Sequence, residues 1–223
     1  MTAIDSSTDV YEQFARIGKA VASARRVELL DLLCQGERSV EVLARTTGMT
    51  VTNTSQHLQT LRSARLVEAR KEGTKVLYRV ADEAVCRFFL ELCGLAHGRL
   101  AEVDQFVHRY LEGDEFESLT REQLFTRMQQ GAVVLLDVRP AEEYAAGHIA
   151  GAVSVPLGLL EELLDTVPAD AEIVAYCRGP YCVLAPQALE VLRESGFRAR
   201  RLVDGFPEWR LAGLPVATGS ERT

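Results

Sequence analysis

The sequence predicts two domains of different class: a mainly α winged helix-turn-helix domain, then an α/β domain built on a parallel sheet. Three observations carry that expectation. The first half runs through amphipathic helices with one hairpin pattern near its end. The second half alternates short apolar strands with helices, the order that gives a parallel sheet covered on both faces. Between them, Glu112 to Ser118 is polar and acidic with a single glycine, as expected of a boundary. The expected domains are residues 1–112 and 119–223, with 113–118 as a short linker.

In the first half, Val10 to Ala20 and Arg25 to Cys34 space their apolar residues at helical intervals, and Gly36 stops the second of these. Ser39 is placed to cap a helix from Val40 to Thr47, and Gly48 ends it. Thr52 or Asn53 then caps a helix running through Leu58, Leu61 and Leu66. Two short helices around a turn make a helix-turn-helix. Leu66 to Lys71 and Lys75 to Val80 alternate about Glu72-Gly73-Thr74, which reads as a β-hairpin, the wing. Ala84 to Tyr110 reads as one long amphipathic helix.

Composition sets bounds. Apolar residues make up 47% and charged residues 26%, ordinary for a globular protein. No run reaches the roughly 18 apolar residues that span a bilayer, and the first residues have neither a basic head nor an apolar run, so no signal peptide and no membrane partner are expected. Five cysteines without framework spacing point to free thiols in a reducing cytoplasm. The net charge of −7 is uneven: residues 1–112 carry 15 basic and 15 acidic groups, residues 113–223 carry 10 and 17. Within the balanced half, Thr54 to Arg79 holds six basic residues against Glu68 and Glu72. A local basic patch is what phosphate neutralisation needs.

Gly36-Glu37-Arg38-Ser39-Val40, Ser55 to Arg62 and Leu66-Val67 are similar to the ArsR group of bacterial repressors, over residues 9 to about 111. The resemblance implies a recognition helix around Ser55, His57 and Leu58, and a homodimer through the first and last helices on double-stranded operator DNA. Dimer symmetry then mirrors operator symmetry. Expected DNA contacts are Thr52, Asn53, Thr54, Ser55, Gln56, His57 and Gln59 from the helix, with Arg62, Arg70, Lys71 and Lys75 from its end and the wing. Metal and cofactor are both expected to be absent. The family's thiolate site has no cysteine in Gly36 to Leu43, and His97 and His108 have Leu95 and Leu111 where further ligands would stand. Cys34, Cys86 and Cys93 read as buried hydrophobes.

In the second half Thr120 caps a helix from Arg121 to Gln130, and Ala132 to Val138 reads as a buried strand ended by Pro140. Strands follow at Ala150 to Val155, Ile173 to Tyr176 and Arg200 to Val203, and helices at Leu157 to Leu164, Val183 to Ser195 and Phe206 to Ala212. Cys177 stands where a strand ends and a helix is about to begin. Free N–H groups of the helix's first turn favour an anion there, and a thiolate so placed has a lowered pKa. Arg178 adds positive charge, and Cys182 is a second thiol in the same loop.

That loop resembles the active-site loop of a rhodanese domain, over about Ser118 to Thr218. Leu135 to Pro140, Glu142-Glu143-Tyr144 and Gly147 to Pro156 are similar to the family's N-terminal signature, and Gly205-Phe206, Trp209, Gly213 and Pro215 to its C-terminal one. The resemblance implies catalytic roles for Cys177 and Arg178, with Asp137 and Arg139 beside the loop either catalytic or a structural pair. Glu143, His148 and Trp209 read as structural. Where the common rhodanese loop closes with an arginine, this chain has Cys182, a candidate resolving thiol. The expected function is a transcriptional regulator, a repressor, that senses a sulfane sulfur donor (persulfide, polysulfide or thiosulfate) through Cys177 and Cys182. Two alternatives stay open: a sulfurtransferase carrying a DNA-binding module, and a general sensor of oxidants or metalloids.

Overall fold

The computed structural model describes residues 6–111, 117–160 and 171–219. Most of the expected linker, and residues 161–164 of the helix expected to follow Leu157, lie outside them. The chain divides into two compact units, Met1–Glu91 and Leu92–Thr223. Among the described residues no helix is long and apolar enough to cross a membrane.

The first unit begins with helices α1 (Ser6–Val21) and α2 (Ala24–Gln35). Strand β1 (Arg38–Ser39) leads into α3 (Val40–Thr47), where the Ser39 hydroxyl accepts the Val42 N–H at 3.4 Å. Gly48 takes a left-handed φ of 66°, which only glycine adopts without cost, and turns the chain into α4 (Val51–Ser63). The cap of α4 is Thr50, which precedes both Thr52 and Asn53: its hydroxyl accepts the Asn53 N–H at 3.2 Å. Leu29, Leu30, Leu43, Leu58 and Leu61 are fully buried and form the core under this helix-turn-helix. The hairpin pairs β2 (Val67–Glu72) with β3 (Lys75–Val80), and β1 joins its free edge to give the order β1-β3-β2.

The long helix expected from Ala84 to Tyr110 is two helices. Asp82 accepts the N–H groups of Ala84 and Val85 and opens α5 (Glu83–His97). Gly98 follows, Leu100 adopts an extended conformation (φ −111°, ψ 111°), and α6 (Ala101–Tyr110) starts afresh. Apolar spacing continues across the break, so periodicity alone does not reveal it. The weak helix propensity of Gly94 and Gly98 is the local reason the chain can part there. The two units divide within α5.

The second unit is organised on a five-stranded parallel sheet in the order β4-β9-β8-β5-β7. Its strands are β4 (Ser118–Leu119), β5 (Val134–Asp137), β7 (Val153–Ser154), β8 (Glu172–Tyr176) and β9 (Arg198–Leu202). Helix α7 (Arg121–Gln129) is closed by a capping box between Thr120 and Gln123, α8 (Ala141–Ala146) follows Pro140, α9 spans Leu184–Glu194 and α10 Phe206–Leu211. Two-residue strands β6 (His148–Ile149) and β10 (Val216–Ala217) pair apart from the main sheet. Alternate residues of β8 face opposite layers, as a strand requires. Ile173, Ala175 and Cys177 pack with Leu136, Ala188, Leu189 and Leu192. Val174 and Tyr176 pack with Leu135, Ile149, Phe206 and Trp209.

Replacing Thr50 by Ala removes the side-chain acceptor at the start of α4. Urea unfolding followed by far-ultraviolet circular dichroism is expected to show a loss of about 1 kcal/mol.

Candidate functional site

The carboxyl ends of β5 and β8 meet at Asp137 and Tyr176, which lie side by side in the sheet. Asp137 is fully buried and accepts three groups: the Arg139 N–H at 3.0 Å, Arg139 Nε at 2.9 Å and the Tyr176 hydroxyl at 2.6 Å. Tyr176 in turn accepts the Ile149 N–H at 3.0 Å. The buried Arg139 guanidinium donates to the Gly147 carbonyl at 2.7 Å and lies 4.7 Å from the centre of the Phe206 ring. Desolvation works against its charge, and Asp137 outweighs it. Burial, reinforced by Asp137, pushes the Tyr176 phenol well up, so it stays a neutral donor. Asp137 and Arg139 therefore hold the strand end beneath the loop and do not reach the thiols through any of these bonds.

The loop itself is pinned from two sides. Arg178 donates to the buried Glu143 carboxylate at 2.7 and 3.1 Å, so much of its charge is spent on α8. The Phe206 N–H donates to the Cys177 carbonyl at 3.3 Å. A Cβ on Gly205 would stand 2.3 Å from the Arg178 carbonyl carbon and the Gly179 nitrogen, so that position admits no side chain while the loop stays where it is. His148 stacks on Tyr144 at 3.6 Å and donates its Nδ1–H to the Tyr144 carbonyl at 2.8 Å, and Trp209 is buried with its indole N–H on the Pro215 carbonyl.

Both loop thiols are free. Cys177 is 3% exposed and belongs to the core, whereas Cys182 is only partly buried. A turn hydrogen bond from the Cys182 N–H to the Gly179 carbonyl, 3.2 Å, folds the loop back so that the Cys177 thiol reaches the Cys182 carbonyl at 3.6 Å. Burial pushes the Cys177 thiol well up, and its hydrogen bond to Cys182 adds to this, against the opposing N–H groups of Ala185 and Gly179. The Cys177 hydrogen bond pulls Cys182 down to about 7, against its own burial and with help from the Leu184 and Arg178 N–H groups and the Arg178 charge. The two shifts run in opposite directions, up at Cys177 and down at Cys182. N–H groups of the first turn of α9 bear on both sulfurs, Ala185 on Cys177 and Leu184 on Cys182. Cys177 lies within the apolar cluster, and Cys182 packs against the same cluster from a less buried position.

Sequence reasoning missed Tyr181, which no motif signalled. Its hydroxyl lies 3.4 Å from the Cys93 carbonyl and 3.3 Å from His97 Nδ1, and its ring meets the His97 ring edge-on at 5.7 Å. These contacts are internal to the second unit, which includes the last turns of α5. Cys34 and Cys86 are buried as expected, but Cys93 is partly exposed.

The candidate nucleic-acid face is α4 with the hairpin. Thr52, Asn53, Gln56, Arg62, Lys71 and Lys75 are exposed, and Ser55 and His57 are half-buried. Thr54 is not available: it is fully buried and donates to the Thr50 carbonyl at 3.0 Å. It falls on the inward face of α4 beside Leu58 and Leu61, a consequence of the helical period that its polar character masks. Gln59 donates to the Tyr78 hydroxyl at 3.0 Å and so ties the helix to the wing. Arg70 is engaged by Glu37 at 2.8 Å and by Glu72, and Arg79 by Glu68 at 2.8 Å. The cationic surface is carried by Arg62, Lys71 and Lys75 together with Arg65.

Asp137→Asn would leave the Arg139 guanidinium buried without its counter-charge. The second unit is expected to lose about 3–5 kcal/mol, read through the fluorescence of Trp209, the only tryptophan.

Comparison with known proteins agrees with both halves. Residues 23–69 match the family described as bacterial regulatory protein, arsR family, and residues 120–212 match the rhodanese-like domain. The HTH-type transcriptional regulator Rv0324 of Mycobacterium tuberculosis is 48% identical over 216 residues, 97% of this chain and 95% of that protein. A sulfurtransferase of Allochromatium vinosum is 33% identical over 85 residues, 38% of this chain and 78% of that one. A solution structure described as the homodimeric winged helix-turn-helix DNA-binding domain of Mb0332 from Mycobacterium bovis is 47% identical, covering 45% of this chain and 93% of that fragment, with a TM-score of 0.42. With an arsR-type helix-turn-helix, a rhodanese-like parallel sheet and a relative matched along nearly its whole length, the chain belongs to the arsR family of transcriptional regulators, in a form fused to a rhodanese-like domain.

Proposed function

We propose that the chain is a cytoplasmic, homodimeric repressor whose hold on operator DNA is released when a sulfane sulfur donor modifies the Cys177–Cys182 loop. The observation that carries this reading is the pair of free thiols in one loop, with the Cys177 thiol donating to the Cys182 carbonyl at 3.6 Å, at the carboxyl end of a parallel sheet. Ligand chemistry in open α/β sheets concentrates at that end of the strands. A thiolate beside a second thiol accepts sulfur from a persulfide and then closes to a cross-link, a chemistry that a single buried cysteine does not support.

Two further features support a regulatory outcome. Where a positive side chain would help hold an anionic donor through repeated turnover, the loop has Cys182, and Arg178 is drawn onto Glu143. Tyr181, between the two thiols in sequence, is engaged with Cys93 and His97, so a loop that changes shape must also change its contacts with α5. That helix is continuous from Glu83 to His97 and reaches back into the first unit. A homodimer is supported by the apolar side chains that α1 and the α5–α6 region leave exposed: Tyr11, Phe14, Leu95 and Leu100 are each at least half exposed.

DNA binding of the full-length protein with and without inorganic polysulfide tests the reading. Wild type is expected to lose affinity on treatment. Cys177→Ser, which cannot form the cross-link, and Tyr181→Phe, which can form it but lacks the hydroxyl contact, are both expected to stay bound. Retained affinity of treated wild type together with rapid cyanide-dependent sulfur transfer would favour an enzyme instead.

The wing makes a separate prediction. Lys75→Ala is expected to weaken binding to all sequences alike and to reduce the slope of log affinity against log salt by about 1, measured by salt titration.

A further inference from the structure

We propose that the amino-terminal end of the parallel sheet, opposite the thiol loop, binds a phosphorylated small molecule of nucleoside diphosphate size. This site goes beyond the sulfur-responsive reading of the loop and does not rest on it.

Position is the first ground. Three neighbouring strands, β4, β9 and β8, begin at this end. A cavity of about 460 Å³ opens there, a volume within the range of small-ligand sites. Arg198 and Arg200 stand two apart on β9, so they share one face of the sheet. Glu172 opens β8 in register with Arg198 and lies on that face too. Arg127 comes from the last turn of α7, and Arg193 from the last turn of α9. Phe197, in the turn between α9 and β9, gives the cavity an apolar wall and packs on the core cluster that holds Leu192 and Ala199.

Charge is the second ground. The cavity sets four guanidiniums against two carboxylates, Glu117 and Glu172. The carboxylates position the arginines without neutralising the set. Glu172 holds Arg127 at 2.6 Å and Arg200 at 3.3 Å, and Glu117 holds Arg200 at 2.6 Å. Arg198 is exposed and makes no side-chain hydrogen bond or ion pair among the described residues. Two positive charges are therefore in excess. Residues 113–223 as a whole carry 10 basic groups against 17 acidic ones, yet four of those ten gather here. Ion pairs that only closed the end of the sheet would balance their charges.

The chemistry of the lining selects the ligand. A guanidinium presents a planar fork of donors that matches two oxygens of a phosphate. An excess of two charges suits an anion carrying at least two, as a pyrophosphate group does. The Phe197 ring offers a face or edge for the organic part, and aromatic rings pack on it in either way.

Isothermal titration calorimetry of the full-length protein, without divalent cations, tests the site with ADP, pyrophosphate and adenosine as probes. ADP is expected to bind most tightly, pyrophosphate less tightly and adenosine not at all. Arg198→Glu removes a charge-assisted contact and adds repulsion, and is expected to weaken ADP binding at least about tenfold. Arg198 supports no other side chain, so the sheet should stay intact, which Trp209 fluorescence checks. Arg87→Glu, a matched charge change on α5 outside the cavity, should leave ADP binding unchanged. Phe197→Leu should bring ADP down to the level of pyrophosphate and leave pyrophosphate as it was. Cys177→Ser, which abolishes the loop chemistry, should bind ADP as wild type does, so that failure of the sulfur reading leaves this site standing. Binding of neither ADP nor pyrophosphate would overturn the proposal. So would ADP binding that Arg198→Glu leaves intact, or that Arg87→Glu weakens equally. Equal affinity of wild type for ADP and pyrophosphate would overturn the nucleoside assignment.

Discussion

The buried carboxylate of Asp137 is the constraint on which the thiol loop depends. It sits at the end of one strand and gathers a guanidinium from two residues ahead and a phenol from the neighbouring strand. Because Tyr176 immediately precedes Cys177, fixing that phenol fixes the point at which the chain leaves the sheet. The cost of burying an ion pair is met here by hydrogen bonds to every partner in reach, including the Gly147 carbonyl and the Ile149 N–H. The same network links β5, β8, α8 and β6, so the loop rests on four elements at once.

On this rigid base the loop is held from outside by Glu143 and by the close approach of Gly205. What remains adjustable is the relation between two sulfur atoms. One is enclosed by apolar side chains, and burial pushes its thiol up. The other packs against the same apolar cluster and is only partly buried. A sensor has to be reactive toward small donors yet slow to pass sulfur on, and a thiol pair of unequal burial meets both needs. The second unit combines a rhodanese-like sheet with a loop that carries two free cysteines.

Much of this was legible in the amino-acid sequence, for identifiable reasons. Ser39, Gly48, Thr120 and the Gly73 turn are local signals whose geometry depends on a few neighbouring atoms, and each stands where its chemistry required. The cysteine loop was legible because a strand ending in a thiol before a glycine-proline turn is uncommon. Other features depend on distant partners. Arg70 looks like a free cation until Glu37, thirty-three residues away, comes to its side. Thr54 looks like a DNA contact until the orientation of α4 turns it inward. How the two loop thiols differ depends on which is buried, and burial is a property of the packed sheet. The break between α5 and α6 keeps the apolar spacing intact across it and so left no trace in the pattern.

The most direct measurement of the central claim is the operator affinity of one full-length sample in three states: reduced, cross-linked at Cys177–Cys182, and reduced again. The account predicts tight binding, weak binding and recovery of the tight form. Equal affinity in all three states would contradict it, because the loop would then have no bearing on the DNA-binding unit.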